Sequence, residues 1–386
     1  MKTKIIFFVL CALYFCFLAG CNPKDTSVRV ENLNGNKLYV CDLTKVTDSI
    51  VLPLSEIVES IHITRLDTAK EGLIAGGIAF FSDNYIGIKS WGQVPFKLYD
   101  KNGKFIRNVG TVGKGPNEYM SLYCAQIDEK NGQVYLLPWQ SQVLLCYDLE
   151  TGEAKKPIPL VGSMPKGNFQ VMDNKVLAMA LPIPGAPYFV FYQDLEGNVI
   201  DTVPARPYLE TEWGFSNEIS SDYTERGNSV YVFRWNPRLD SLYHYDTQAR
   251  KLYPVFTVDF GAEKIPMHVL RETSDYYYAE MMEPVRGQFG GITVGKQKYV
   301  LVNKKNPGAK FFKIENDFFG GLGVSMMNDF NNGMFAQNYP AVTLKEKLSE
   351  IAKKPDLQPS VKQRIDELLN GLEEDDNNVI IWGKLK

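Results

Sequence analysis

The sequence predicts an all-β fold, a six-bladed β-propeller of four-stranded blades with a small helical insertion near the C-terminus. Three observations carry that expectation. A turn signal recurs in Tyr99-Asp100-Lys101-Asn102-Gly103, Tyr147-Asp148-Leu149-Glu150-Thr151-Gly152, Asp194-Leu195-Glu196-Gly197 and, degenerately, Tyr245-Asp246-Thr247-Gln248-Ala249-Arg250, its aspartates 48, 46 and 52 residues apart. Short apolar or aromatic runs flank each turn (96–99 and 105–109, 143–147 and 154–160, 188–192 and 199–203, 242–245 and 252–258), as hairpin strands do. Upstream of each hairpin lie further runs, such as 74–81 and 85–89 or 122–127 and 134–137, giving four short strands per period of about 40–50 residues. Apolar residues at i, i+3, i+4 and i+7, which a helical repeat would need, are missing from these units.

The elements follow in chain order. Lys2 and Lys4 precede an apolar run, 5–18, too short to span a bilayer comfortably and right for a signal-peptide core. It ends in Leu18-Ala19-Gly20-Cys21, which looks like a bacterial lipobox, in which the cysteine is lipidated and becomes the new N-terminus. Residues 1–20 are thus expected to be a lipoprotein signal peptide, 21–50 a tether and N-terminal segment, and 51–386 the propeller. Acyl chains at ~0.8 kcal/mol per buried CH₂, used in multiples, would make the membrane a partner. The expected address is the cell envelope, the outer membrane being favoured, with the domain facing either the periplasm or the surface. Processing would leave 40 basic and 45 acidic residues and three cysteines, Cys41, Cys124 and Cys146, too few for a disulfide framework.

Four blades are expected over 73–112, 118–162, 167–206 and 214–260, and a fifth over 284–318. Residues 262–283 then read as an insertion, with a helical turn or two at 275–282. A sixth blade begins near Gly323 and is interrupted at about 343–375, where Leu344, Leu348, Ile351, Ile365, Leu368 and Leu369 fall at helical spacing and Pro355 and Pro359 break the run. Val379-Ile380-Ile381-Trp382 is one more strand. The run 57–66 has no blade of its own, so it is expected to complete the last blade and close the ring.

Leu98-Tyr99-Asp100-Lys101-Asn102-Gly103-Lys104-Phe105-Ile106, then Val109-Gly110 and Gly113-Lys114-Gly115-Pro116-Asn117-Glu118-Tyr119, resembles an NHL-type propeller repeat. More closely still, the chain resembles the six-bladed β-propeller lipoproteins of bacterial cell envelopes. The resemblance spans most of 50–386, but only 98–119 matches at motif level. It implies an envelope lipoprotein and supplies no catalytic motif.

Composition excludes several functions. With 42 basic and 45 acidic residues and no Lys/Arg block longer than two, the chain is not expected to bind nucleic acid. Gly110, Gly113 and Gly115 do not make a phosphate loop, since Lys114 is followed by Gly115 and Pro116 rather than Ser/Thr and a helix. No Gly-x-Ser-x-Gly elbow is present. The three histidines map to separate places: His62 to the closing strand, His244 to a third strand, His268 to the insertion. No cofactor, metal ligand or catalytic residue is therefore assigned. An enzyme is disfavoured, a propeller lyase or hydrolase with a channel metal being the alternative to a binding or scaffolding module.

The candidate site comes from aligning the blades by their turns. The loop after the second strand carries Trp91 in the first blade, Trp139 in the second and Trp235 in the fourth. Such loops share one face with the connections between blades, which contribute Tyr119 and Trp213, and Tyr339 lies near the matching loop of the sixth. Two readings stay open: packing of indoles between blades, or an aromatic ring at the channel mouth suited to stacking on saccharide or peptide. Arg234, with Arg206, Arg238 and Arg286, would add polar contacts. An envelope protein is the other partner considered.

Overall fold

The computed structural model describes residues 25–209, 216–224, 227–261, 264–286 and 292–386. Six antiparallel four-stranded units form the blades. Blade 1 runs from Ile78–Phe81 through Tyr85–Lys89 and Phe96–Asp100 to Phe105–Val109, and blade 2 from Leu122–Asp128 to Ala154–Met164. Blades 3 and 4 span Gly167–Met172 to Val199–Pro204 and Glu218–Thr224 to Lys251–Asp259. Blade 5 begins at Met267–Glu272 and ends at Ala309–Glu315. Blade 6 joins Phe330–Asn331, Met334–Tyr339 and Val379–Lys384 to His62–Arg65, so an N-terminal strand closes the ring as expected.

The recurrent aspartate has a local physical cause. Between third and fourth strands, Asp100 Oδ1 accepts from the backbone N–H groups of Asn102 and Lys104, at 2.8 and 3.0 Å. Asp148, Asp194 and Asp246 repeat the pattern with the residues two and then three or four positions on. A short carboxylate thus imitates a backbone acceptor and fixes the turn. Asn303 plays the same part in blade 5, accepting from Lys305 and Asn306 at 2.8 Å each.

Blade 5 corrects the sequence reading. Residues 275–282, expected to be helical within an insertion, lie on the second strand, Tyr276–Arg286, paired with Met267–Glu272 and Ile292–Asn303. The Ala-Glu-Met run resembles a helix in propensity, but residues 277–282 are all buried, on both faces of a central strand. Tyr277, Ala279 and Met281 pack toward blade 4, while Tyr278 packs toward blade 6. Tertiary packing overrides propensity here. His268 consequently sits on the first strand of blade 5.

Residues 28–50, read as part of a tether and N-terminal segment, hold strands, the last of which runs on to Pro53. The hairpin Val28–Leu33/Asn36–Asp42 adds in parallel to the outer strand of blade 4, and Ser49–Pro53 adds in parallel to the outer strand of blade 5. The chain thereby covers two outer edges that would otherwise be open. Two helices, α1 (Ala341–Ala352) and α2 (Pro359–Asn370), interrupt blade 6 after its second strand. Leu344, Leu348, Ile365 and Leu368 pack with Phe319 and Ile381 in one apolar cluster between blades 5 and 6. No described helix is long and apolar enough to cross a membrane.

Candidate functional site

The alternating strand directions place the second-to-third-strand loops on the same face as the connections that enter each blade. The three tryptophans show this directly. Trp139 N–H donates to Ser121 O at 3.0 Å, and Trp235 N–H donates to Asn217 Oδ1 at 3.2 Å. Trp91 Nε1 would stand 3.8 Å from a Cβ built on Gly76. In each case the neighbour lies just before the innermost strand, so the three indoles occupy one repeat-equivalent position. Their exposures are 65% (Trp91), 47% (Trp139) and 38% (Trp235). Trp235 leans edge-on against Phe233, and Lys89 Nζ lies 5.1 Å from the Trp91 ring centre. Trp382 shows what a packing tryptophan looks like in this fold. It stacks on His62 at 4.4 Å, donates Nε1–H to Thr64 Oγ1 at 3.0 Å and lies under Lys101 Nζ at 4.0 Å.

The other candidates divide. Tyr119 is 2% exposed: its hydroxyl accepts from Phe96 N–H and donates to Val109 O, both at 2.7 Å, stitching the Gly-Pro-Asn-Glu-Tyr loop to blade 1. It has no surface to offer a ligand. Gly110 beside it has φ +71°, and a Cβ there would come within 2.6 Å of the Tyr147 hydroxyl, so this glycine serves a tight connection. Arg234 is also buried, ion-paired through Nη1 with Asp240 Oδ2 and bonded to Val232 O at 2.9 Å. It braces the Trp235 loop from inside. Arg238 and Arg206 are exposed, Arg238 Nη2 reaching Tyr208 O at 3.3 Å. Trp213 and Cys21 lie outside the described residues, as does the side chain of Arg286.

Tyr339 ends the second strand of blade 6 near the Asp329 carboxyl. Burial, and then the charge of Asp329, push its phenol up to about 12. Burial raises Asp329 to about 6, against the N–H donors of Ser325 at 2.8 Å and Gln337 at 2.7 Å. Burial likewise raises Glu280 to about 7, Arg271 only partly offsetting it. One Glu280 oxygen is 3.5 Å from the Tyr299 hydroxyl, and the other has no partner.

A polar bridge beneath the tryptophan face was not read from the sequence. Tyr123 of blade 2 donates its hydroxyl to Glu218 Oε2 of blade 4 at 2.7 Å. Lys166, at the entrance to blade 3, pairs with Glu218 Oε1 and donates to Asn217 O at 3.0 Å. Lys89 Nζ donates to Tyr123 O at 3.1 Å, its pKa lowered by burial. Tyr123, Lys166 and Glu218 all stand at the start of an innermost strand. Aligning blade entrances, as well as turns, would have found them.

The histidines remain apart, on blades 6, 4 and 5. His244 Nε2 pairs with Glu272, and His268 Nδ1 donates to Pro266 O at 2.8 Å. Among the described residues no three His, Cys, Asp or Glu side chains gather closely enough to hold a metal ion.

One solved structure agrees on the fold. An exported-protein candidate from Bacteroides fragilis superposes with a TM-score of 0.61 at 15% identity, covering 88% of this chain and 99% of its own. A member of the DUF4221 family from Bacteroides vulgatus matches at 12% identity and a TM-score of 0.47, over 85% of this chain and 97% of its own. An auxiliary nutrient binding protein from Bacteroides thetaiotaomicron matches at 12% and 0.38, over 65% and 64%. The family model described as a domain of unknown function, DUF4934, matches residues 38–384. That match covers nearly all of the propeller, and the chain belongs to the DUF4934 family.

Proposed function

We propose that this protein is an exported, lipid-anchored binding propeller of the cell envelope that takes saccharide on its tryptophan face. The observation carrying this reading is the set of three partly exposed indoles at one repeat-equivalent position. Packing alone would favour burial of such large apolar rings, and Trp382, held by His62, Thr64 and Lys101, is less exposed than any of the three. Stacking on the apolar face of a sugar ring needs an accessible indole on a rigid support. Trp235 has such support, its loop being braced by the buried Arg234–Asp240 pair. The Leu18-Ala19-Gly20-Cys21 motif supplies the tether. The similarity in fold to an exported-protein candidate is consistent with that address.

A glycan array probed with the wild-type protein and with Trp139→Ala tests the ligand reading. Binding of at least one glycan class, lost in the variant, is expected. Binding to extended peptides alone would replace saccharide with peptide. For the anchor, Cys21→Ser is expected to leave the membrane fraction or remain unprocessed. A processed Cys21→Ser protein that still sediments with membranes would refute lipidation.

A further inference from the structure

The first described residue, Asp25, is already fastened to the propeller. Its Oδ1 accepts from Ser27 N–H at 2.8 Å, and its carboxylate lies against Gly308, where a built Cβ would come within 2.6 Å of Oδ2. Ser27 is buried, its Oγ accepting from Ala309 N–H at 3.0 Å and its carbonyl from Asp42 N–H at 2.8 Å. The chain is thus pinned between the hairpin on blade 4 and the turn that opens the outer strand of blade 5. Only Asn22, Pro23 and Lys24 separate Asp25 from Cys21. Even fully extended, four residue steps of ~3.3–3.6 Å span about 14 Å. A chain of about 360 residues folds to a radius of gyration of about 21 Å, a body roughly 50 Å across. A tether so much shorter than the propeller cannot let it turn freely.

The pinned segment also has a definite place in the ring. Blades follow one another in chain order, so blade 1 stands opposite blade 4 and blade 2 opposite blade 5. Trp91 and Trp139 therefore lie across the ring from it, with Trp235, on blade 4, on the nearer side. The near edge is formed by Val28–Leu33, the outermost strand of its sheet, and by Ser49–Pro53, likewise outermost. Val30, Leu33 and Val51 expose aliphatic side chains along it. An open strand edge with apolar side chains is one that proteins usually cover.

We propose that the outer edge of blades 4 and 5 is the membrane-facing surface of this protein, held against the lipid headgroups by the short tether, with Trp91 and Trp139 carried to the far side of the ring. This orientation rests on the lipid-anchor reading above. Its test compares two equivalent turn positions. Lys305 and Glu150 each stand two residues beyond the side chain that fixes a third-to-fourth-strand turn, Asn303 in blade 5 and Asp148 in blade 2, and both are exposed. Lys305→Cys and Glu150→Cys each take a fluorescent donor, since Cys41, Cys124 and Cys146 are buried. The full-length lipidated variants are reconstituted in phosphatidylethanolamine/phosphatidylglycerol vesicles carrying a rhodamine-headgroup lipid, and energy transfer and co-flotation are read on the same samples. Both variants are expected to float, with at least twofold more transfer from the blade 5 label than from the blade 2 label. About 20 Gly/Ser residues inserted after Lys24, spanning roughly 25 Å, should erase that difference. Flotation with equal transfer, or with more transfer from blade 2, would overturn the orientation and leave the anchor standing. A difference that survives the insertion would overturn the tether as its cause. Failure of both variants to float would remove the anchor, and the orientation with it.

Discussion

Replacing Glu280 by Gln should stabilise this protein in mildly alkaline solution and do little in acid. Glu280 faces Tyr299 across adjacent strands of blade 5, is 1% exposed, and has one oxygen with no partner. Arg271 lies on the strand to its other side but spends its guanidinium on Phe330 O at 2.6 Å and Met327 O at 3.0 Å. Burial thus dominates and lifts the carboxyl from 4.5 to about 7. Between those values the folded chain binds more protons than the unfolded one, so stability falls as pH rises through the window. Above it both states are ionised and the whole penalty is present. At about 1.4 kcal/mol per pH unit between the two values, that penalty is roughly 3 kcal/mol. Glu280→Gln keeps the shape and removes the charge. Urea unfolding at pH 4.5 and 8.5 should show near-equal stabilities in acid and a variant more stable by about 2–3 kcal/mol at pH 8.5. Asp329, also raised by burial, contributes a similar slope to both proteins. A variant no more stable than wild type at pH 8.5 would refute the reasoning.

Three further outcomes are expected. Tyr119→Phe leaves Phe96 N–H buried without an acceptor, and should cost about 1–3 kcal/mol in urea unfolding; a neutral result would mean the loop is not stitched through that hydroxyl. Arg234→Met strands the buried Asp240 carboxylate, and should cost about 3–5 kcal/mol; a cost below 1 kcal/mol would contradict the pairing. Cys124 and Cys146 lie on the first and third strands of blade 2, and burial pushes the Cys124 thiol up to about 11. Both should resist thiol reagents until the protein unfolds, and a Cys124–Cys146 link in a non-reduced peptide map would contradict the strand order.

Much of the ring was legible because its cause is local. An aspartate that accepts from its own turn leaves a mark in sequence, and four such marks at even spacing define the hairpins. Blade 5 escaped because Asn303 replaces that aspartate and because Tyr276–Arg286 has helical residue preferences overridden by two-sided burial. The strands of 28–53 escaped for other reasons: the Asn34-Gly35 turn of the 28–42 hairpin is a local signal that went unread, whereas the docking of that hairpin and of Ser49–Pro53 is parallel pairing with edges more than 200 residues away, which no local pattern encodes. The tryptophan positions were readable from the repeat. The roles of Tyr119 and Arg234 were not, since an aromatic or basic residue in a connection looks alike whether it faces solvent or the interior.

The proposed recognition role of the tryptophan face is tested most directly by measuring affinity and stability together for Trp91→Ala, Trp139→Ala and Trp235→Ala, using whichever glycan the wild-type protein binds. Trp91 buries only about a third of its surface, worth at most about 2 kcal/mol at 25 cal/mol per Å², so its loss should spare the fold. At least a tenfold loss of affinity is expected in each variant, with stability at Trp91 reduced by no more than that amount. Undiminished affinity in all three, or stability losses of about 3–5 kcal/mol at every position without a change in binding, would make the indoles blade packing and contradict it.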